Sequence, residues 1–254
     1  MKRFITKNKW ISALLALLFW AALWQIIYLA VDQDVLIASP ADVLGRIGDL
    51  LPAAEFWRTV SLSFIRIFGG FFAAAAMGAI LAAGTAFLPS LRMIIAPALS
   101  VVKATPVASF ILLALVWLRS SQLSLFISFL MVLPVFWSNL EAGILATDRE
   151  LLEMANVFRV PARKRVQEIY LPSILPYFVT ACRSGIGMAW KAGIAAEVLG
   201  RPAHSIGKEI YNAKIYLETV DLFAWTLIVI ILSMILEKLF LFLLGKIRMQ
   251  HTGK

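Results

Sequence analysis

Long apolar runs alternate with short polar connections along this chain, and each run approaches the ~20 residues that a helix needs to cross a bilayer. The first runs from Trp10 to Ala30. A polar connection from Val31 to about Phe56 follows, with Asp32, Asp34, Asp42 and Asp49 against the base Arg46. Within it, Ser39-Pro40-Ala41-Asp42 opens a short helix whose Val43, Leu44, Ile47, Leu50 and Leu51 share a face, as in an element lying at a membrane surface. A second span is predicted over Ser61–Phe87, and the region from Leu91 to about Leu118 carries a third. Pro97 and Pro106 each remove a helical hydrogen bond there, so this region is expected to be kinked or partly re-entrant. After the polar turn Arg119–Gln122, a fourth span covers Leu123 to about Leu145, with Pro134 inside it. A fifth covers Ser173–Leu199, and a sixth covers Asp221–Leu244 after the polar connection Gly200–Val220. The pattern predicts an all-α, polytopic transmembrane helical bundle of about six spans. It is read as a single domain over 1–254: a first span and its connection to 55, a core over 56–245, and a basic tail over 246–254.

The longest polar interruption inside the core is Thr147–Pro172. Thr147 followed three residues later by Glu150 is a capping-box pattern. Leu151, Leu152, Ala155 and Phe158 then recur at helical spacing, and the helix is expected to stop at Val160 because Pro161 disfavours a helical predecessor. Pro161 suits the first position of a second helix, which carries Arg163, Lys164 and Arg165 and ends near Leu171-Pro172. Periodicity leaves two uses open for the apolar face: a groove on another protein, or the lipid headgroups.

Small residues mark two further faces. Gly70, Ala74, Gly78 and Ala82 step by four along the second span, and Ala181, Gly185, Ala189 and Gly193 do the same along the fifth. Such faces let helices approach closely, within a subunit or between two copies. Charges at membrane depth are costly, which singles out Lys103, Glu141, Arg183, Lys191 and Glu197. Glu141 and Arg183, near the ends of their spans, are read as reaching headgroups or pairing locally. Lys103, Lys191 and Glu197 are the candidates for a translocation path, the two lysines to attract an anion. The alternative for Lys191 is a pairing with Glu197 across a helix contact.

Composition turns the span pattern into a class. With 61% hydrophobic residues, 15% charged residues and a mean hydropathy of +0.85, the chain has too little polar surface to coat a soluble globule. A net charge of +9 could point to nucleic acid, but the bases gather at the ends of apolar runs, where charge sets orientation toward anionic lipid. Lys2, Arg3, Lys7, Lys9, Arg92, the five bases of Thr147–Pro172 and three in the tail fall on one side, 13 in all; Arg46, Arg119, Arg201, Lys208 and Lys214 make five on the other. Both termini and Thr147–Pro172 are therefore expected in the cytoplasm. The first span, with no small-x-small cleavage pattern after it, reads as a retained anchor. Cys182 is the single cysteine, so no intrachain disulfide or multi-cysteine metal site is expected, and His204 and His251 lie far apart.

Glu153-Met154-Ala155, then Arg159, Ile169, Leu171 and Pro172, resemble the EAA loop of bacterial ABC-importer permeases: Glu-Ala-Ala, three residues, Gly, nine residues, Ile, one residue, Leu-Pro. The spacing matches throughout and five of seven positions agree; Met154 replaces the second Ala and Arg159 replaces the Gly. A bend at Arg159 would fall partly to Val160-Pro161. Ser39–Leu44, Ser61–Gly70 with Arg66, Pro106–Leu118, and Ala189-Trp190 through Ala196-Glu197-Val198-Leu199-Gly200 are similar to the nitrate, sulfonate and taurine branch of that family. The resemblance implies the type I permease fold in a bacterial inner membrane, a homodimer, a cytoplasmic ATPase and an extracytoplasmic solute-binding protein. It places Glu153, Met154, Ala155 and Phe158 in a coupling helix seated on the ATPase. No G-x-x-x-x-G-K-[ST] occurs, so the chain is expected to bind no cofactor itself, with ATP and Mg held by the ATPase partner. The implied solute is a small organic or inorganic anion such as a sulfonate, taurine or nitrate. Two other classes compete. A membrane-embedded enzyme usually needs clustered His, Asp, Glu, Ser or Cys, and no His or close acidic pair falls within a predicted span. A stand-alone secondary transporter expects internal repeats and midplane ion sites, neither of which is evident.

Overall fold

A computed structural model of the protein describes the backbone of residues 9–252, with side chains over 11–240 and at Phe242. Lys2, Arg3, Lys7 and Lys254, which enter the charge count above, lie outside the described residues, as do the side chains of Lys9, Lys246, Arg248 and His251. The elements in order are α1 (Lys9–Val31), α2 (Pro40–Leu50), α3 (Ala54–Phe87), α4 (Pro89–Ala104), α5 (Val107–Ala114), α6 (Ser120–Leu145), α7 (Arg149–Val157), α8 (Ala162–Arg165), a π-helical turn (Val166–Tyr170), α9 (Leu171–Gly200), α10 (Ile206–Ile215) and α11 (Thr219–Thr252). Among the described residues there is no strand.

Four stretches are long and apolar enough to cross a membrane: Ile11–Val31, Ala54–Phe87, Ser120–Leu145 and Thr219–Phe240. Helices α4 and α5 make a fifth if taken as one span broken by a 103° bend. The break falls at Thr105-Pro106, where Pro106 cannot continue the preceding helix and instead caps the next. Pro97, by contrast, stays within α4. At 30 residues α9 has the length of a span but not the same apolarity, because Arg183, Lys191, Glu197 and many glycines and alanines dilute it. Its buried flank of Ala181, Gly185, Ala189 and Gly193 faces other helices, where small side chains serve better than large apolar ones. Four apolar helices and one broken pair thus supply up to five of the about six expected spans, and α9 has the length of a further one without the apolarity.

The chain gathers into two compact units. The first joins the segment up to Arg58 with Glu209–Ile230. The Ser39 side chain caps α2 by accepting from the Asp42 N–H at 3.1 Å, and Val43 and Ile47 turn onto a cluster with Ala38, Trp24 and Ala224. Burying Val43 contributes about 2 kcal/mol. Leu44 and Leu51 remain exposed, so only part of the face expected at the membrane surface is left outward. Trp24 donates its Nε1–H to the Ala38 carbonyl (3.1 Å) and stacks on Phe223. Arg46 grips both carboxylate oxygens of Asp221, which raises the guanidinium further above its usual range and keeps it charged.

The second unit comprises Thr59–Lys208 and the segment from Ile231 onward. Its centre is α6, where Leu123, Ile127 and Met131 meet Ile111 and Ala114 of α5 and Ala192 and Ala196 of α9. Phe71 and Phe136 meet edge to face at 5.4 Å between ring centroids, with Phe178 and Phe240 beside them.

Candidate coupling loop and solute cavity

The interruption Thr147–Pro172 begins one residue later than its sequence pattern indicates. Thr147 is still tied to the last turn of α6: its N–H donates to Ile144 O at 3.3 Å and its hydroxyl to Gly143 O at 3.4 Å. The first free acceptor is Asp148, whose carboxylate takes the Glu150 N–H at 2.8 Å and caps α7. The capping box at Thr147 is therefore replaced by an Asp148 cap. Along α7, Ala155 is buried, whereas Glu153, Met154, Val157 and Phe158 are exposed, the last two by 79% and 74%.

The helix ends at Val157, before the expected Val160, for a reason found in Arg159. Arg159 takes φ +48°, the left-handed conformation that glycine adopts freely, at the position where the EAA pattern carries Gly. Its N–H donates to Asn156 O at 3.1 Å, and the Val160 N–H returns to Ala155 O at 2.9 Å, which together form a Schellman turn. The bend is thus made by Arg159 itself, with Pro161 following it. Arg165 then reaches back over the turn, donating Nε–H to Val160 O at 2.9 Å and Nη1–H to Asn156 Oδ1 at 2.6 Å.

The second helix does not end near Leu171-Pro172. After α8 the backbone widens into the π turn, with the Leu171 N–H donating to Val166 O, and runs directly into α9. Pro172 has no N–H to place, and the longer register of the preceding turn carries the helix past it. Ile169 sits half-buried in this turn, Tyr170 meets Phe87 of α3 edge to face, and Leu171 lines an apolar cavity of about 380 Å³ with Leu140, Ile144 and Ile174.

Both small-residue faces meet α6 or its neighbours within the chain. A methyl group on Gly70 would stand 2.2 Å from Leu125 O, and one on Gly78 would stand 2.6 Å from Phe136 Cβ. On α9, a methyl on Gly193 would meet Ile67 of α3 at 2.5 Å and Ser128 Oγ of α6 at 2.7 Å, and one on Gly185 would meet Val132 at 3.2 Å. Ala74, Ala82, Ala181 and Ala189 are buried between them, and Ser128 donates its hydroxyl proton to Ala189 O at 3.1 Å.

The membrane-depth charges are distributed differently from the pairing considered for Lys191. Glu197 is fully buried and its partner is Arg66, with Nη1 3.6 Å from Oε1. Glu197 Oε2 accepts from Ser63 Oγ–H at 2.7 Å and from Gly207 N–H at 3.4 Å. Ser63 in turn accepts the Ile206 N–H, and Arg66 donates to the carbonyls of Ala203 and His204. This network pins the turn around residues 201–207 onto α3 and α9, and Gly207 is packed so tightly that a methyl there would lie 2.4 Å from Glu197 Cβ and Val198 N. Lys191 instead lines an open cavity of about 590 Å³ with Val107, Arg183, Ser184, Met188 and Glu237. Among the described residues, no ion pair engages Arg183, Lys191 or Glu237. Lys103 lies off that cavity, with Nζ 5.9 Å from the centre of the Trp137 ring. Glu141 is buried beside Arg92 at 3.4 Å, the local pairing considered for it. Sequence reasoning gave no role to Arg66, Ser63, Arg165 or Glu237. Arg66 could have been flagged as a base within a predicted span, but its partner lies far along the chain.

Membrane-length helices, a short amphipathic helix between two of them with an exposed apolar face, and an open cavity carrying Arg183, Lys191 and Glu237 are the features of a polytopic membrane permease. Residues 74–248 match the family model for the inner membrane component of binding-protein-dependent transport systems, and the chain belongs to that family of ABC-importer permeases. The matched region contains the whole of Thr147–Pro172. The chain is 24% identical to the putative aliphatic sulfonates transport permease protein SsuC of Bacillus subtilis, over 86% of this chain and 80% of the relative. It is 23% identical to the taurine transport system permease protein TauC of Escherichia coli, over 84% of this chain and 80% of the relative. It is 27% identical to the bicarbonate transport system permease protein CmpB of Synechococcus elongatus, over 62% of this chain and 57% of the relative. The protein is thus an integral inner-membrane transport subunit rather than an enzyme.

Proposed function

We propose that the chain forms, as a homodimer in membrane lipid, the translocation path of an ATP-driven importer, with the exposed face of α7, inside the coupling loop Thr147–Pro172, seated on a cytoplasmic ATPase. The observation that carries this reading is the exposed face of Met154, Val157 and Phe158 on a capped helix that ends at the EAA glycine position. Apolar side chains so exposed on a short helix fit a protein groove. Glu153 and Arg159 flank the face and would set its orientation. Both termini and this loop lie on the cytoplasmic side in this reading, which the distribution of bases supports. ATP and Mg belong to the ATPase, whose closure would push on α7 and bias the spans between two states.

The solute is a small anion, delivered by an extracytoplasmic binding protein. Lys191 in the cavity supports this, together with Arg183 on the same wall. Charges exposed at membrane depth require water or a counter-charge, and a passing anion supplies the latter.

Co-purification with a cytoplasmic ABC ATPase tests the reading. Wild type should carry the ATPase through detergent purification and Glu153→Arg should lose it; a wild-type chain that transports without any ATPase would refute it.

A further inference from the structure

In the coupling loop, one side chain spans the turn that any push on α7 must cross. Between α7 and α9 lie the left-handed Arg159, the four residues of α8 and the π turn. Left-handed geometry in a non-glycine residue is strained, and a π turn gives the backbone a looser register. Both are points where a displacement could be absorbed instead of transmitted. Arg165 closes the first of them, because its guanidinium holds Val160 O and Asn156 Oδ1, one on each side of Arg159. The planar fork suits two fixed acceptors at once, which a lysine ammonium cannot reproduce.

We propose that Arg165 is a positioning residue for coupling: it locks α7 to α8 so that displacement of the docked helix reaches α9 instead of being spent in the Arg159 turn. This rests on the reading of Thr147–Pro172 as the ATPase-coupling loop. Arg165 is not one of the apolar side chains of the docking face; its guanidinium is turned onto Val160 O and Asn156 Oδ1 of the turn.

The test uses the full chain reconstituted with its ATPase in proteoliposomes, with a spin label on Leu199→Cys at the far end of α9. ATP with vanadate is the probe, so no solute is needed. Wild type should show an ATP-vanadate shift in the label-to-label distance. Arg165→Ala should still bind the ATPase and hydrolyse ATP within twofold of wild type, yet lose most of the shift, as should Arg165→Lys, which lacks the planar fork. Asn156→Asp keeps an acceptor for Arg165 and should retain the shift. An unchanged shift in Arg165→Ala overturns the proposal. So does a parallel loss of ATPase binding and hydrolysis, which would make Arg165 part of the docking fold. If even wild type binds no ATPase, the coupling-loop reading itself fails, and the proposal with it.

Discussion

Removing the Glu197 side chain should be among the most damaging single changes in the second unit. Glu197→Ala takes away the carboxylate that faces Arg66 at 3.6 Å and accepts from Ser63 and Gly207. Breaking a buried ion pair typically costs 3–5 kcal/mol, because the surviving charge is left uncompensated. Here the lower end applies: Arg66 keeps the carbonyls of Ala203 and His204 as acceptors, and its side chain is 17% exposed. A loss of about 3 kcal/mol is expected. Glu197→Gln retains an acceptor for Ser63 and Gly207 and forfeits only the charge opposite Arg66, so it should cost about 1.5 kcal/mol. A double-mutant cycle with Arg66→Met isolates the pair, since the neutral combination leaves no unpaired charge. The assay is reversible unfolding in mixed micelles, followed by tryptophan fluorescence. If both single variants lie within about 0.5 kcal/mol of wild type, or the cycle gives no coupling energy, the network is not holding this end of α9.

Three further outcomes separate other parts of the structure. Gly70→Ala and Gly78→Ala should each destabilise by about 1–3 kcal/mol in the same assay, whereas Gly187→Ala, whose added methyl meets nothing within 4 Å, should be neutral or slightly stabilising. Equal effects at the three positions would remove the close-approach argument. Arg159→Gly should stabilise the α7 turn locally by about 0.5 kcal/mol, seen as slower hydrogen exchange at the amides of residues 159 and 160; faster exchange would contradict the left-handed conformation. Asp221→Asn should cost less than about 1 kcal/mol despite the two-pronged contact, because Arg46 remains 40% exposed to solvent; a loss comparable to that of Glu197→Ala would refute the burial argument.

Features legible from sequence are those written locally. Apolar run length gave the membrane helices, and Pro106 marked the break between α4 and α5, whereas Pro97 left α4 continuous. Spacing from Glu153 to Pro172 carried the family resemblance. Features that escaped depend on geometry or on distant partners. Thr147 and Asp148 are both good caps, and only the extra turn of α6 decides between them. Arg159 reads as a departure from glycine until its φ shows it doing what glycine would do. A continuous π turn cannot be distinguished from a break by the position of Pro172, since proline is tolerated in the first turn of a helix as well as after its end. Arg66 and Glu197 each look like an isolated charge because nothing local joins them.

Two of these sites bracket α9. At its start lies the π turn that follows the Arg165 clamp, and at its end lies the Glu197 network, about 45 Å away along a 30-residue helix. Between them the helix is pressed against α3 and α6 by Gly185, Ala189 and Gly193, with Ser128 bonded to its backbone, so it has little room to bend on its own. Three helices in such close contact move as a body or not at all, since tightly packed interfaces switch between arrangements instead of deforming continuously. A push delivered through a rigid turn at Arg165 would therefore shift α3, α6 and α9 together. Under the proposed coupling, the same push through a yielding turn would be dissipated before reaching them, so a side chain outside both the proposed docking face and the cavity would govern whether hydrolysis is coupled to movement.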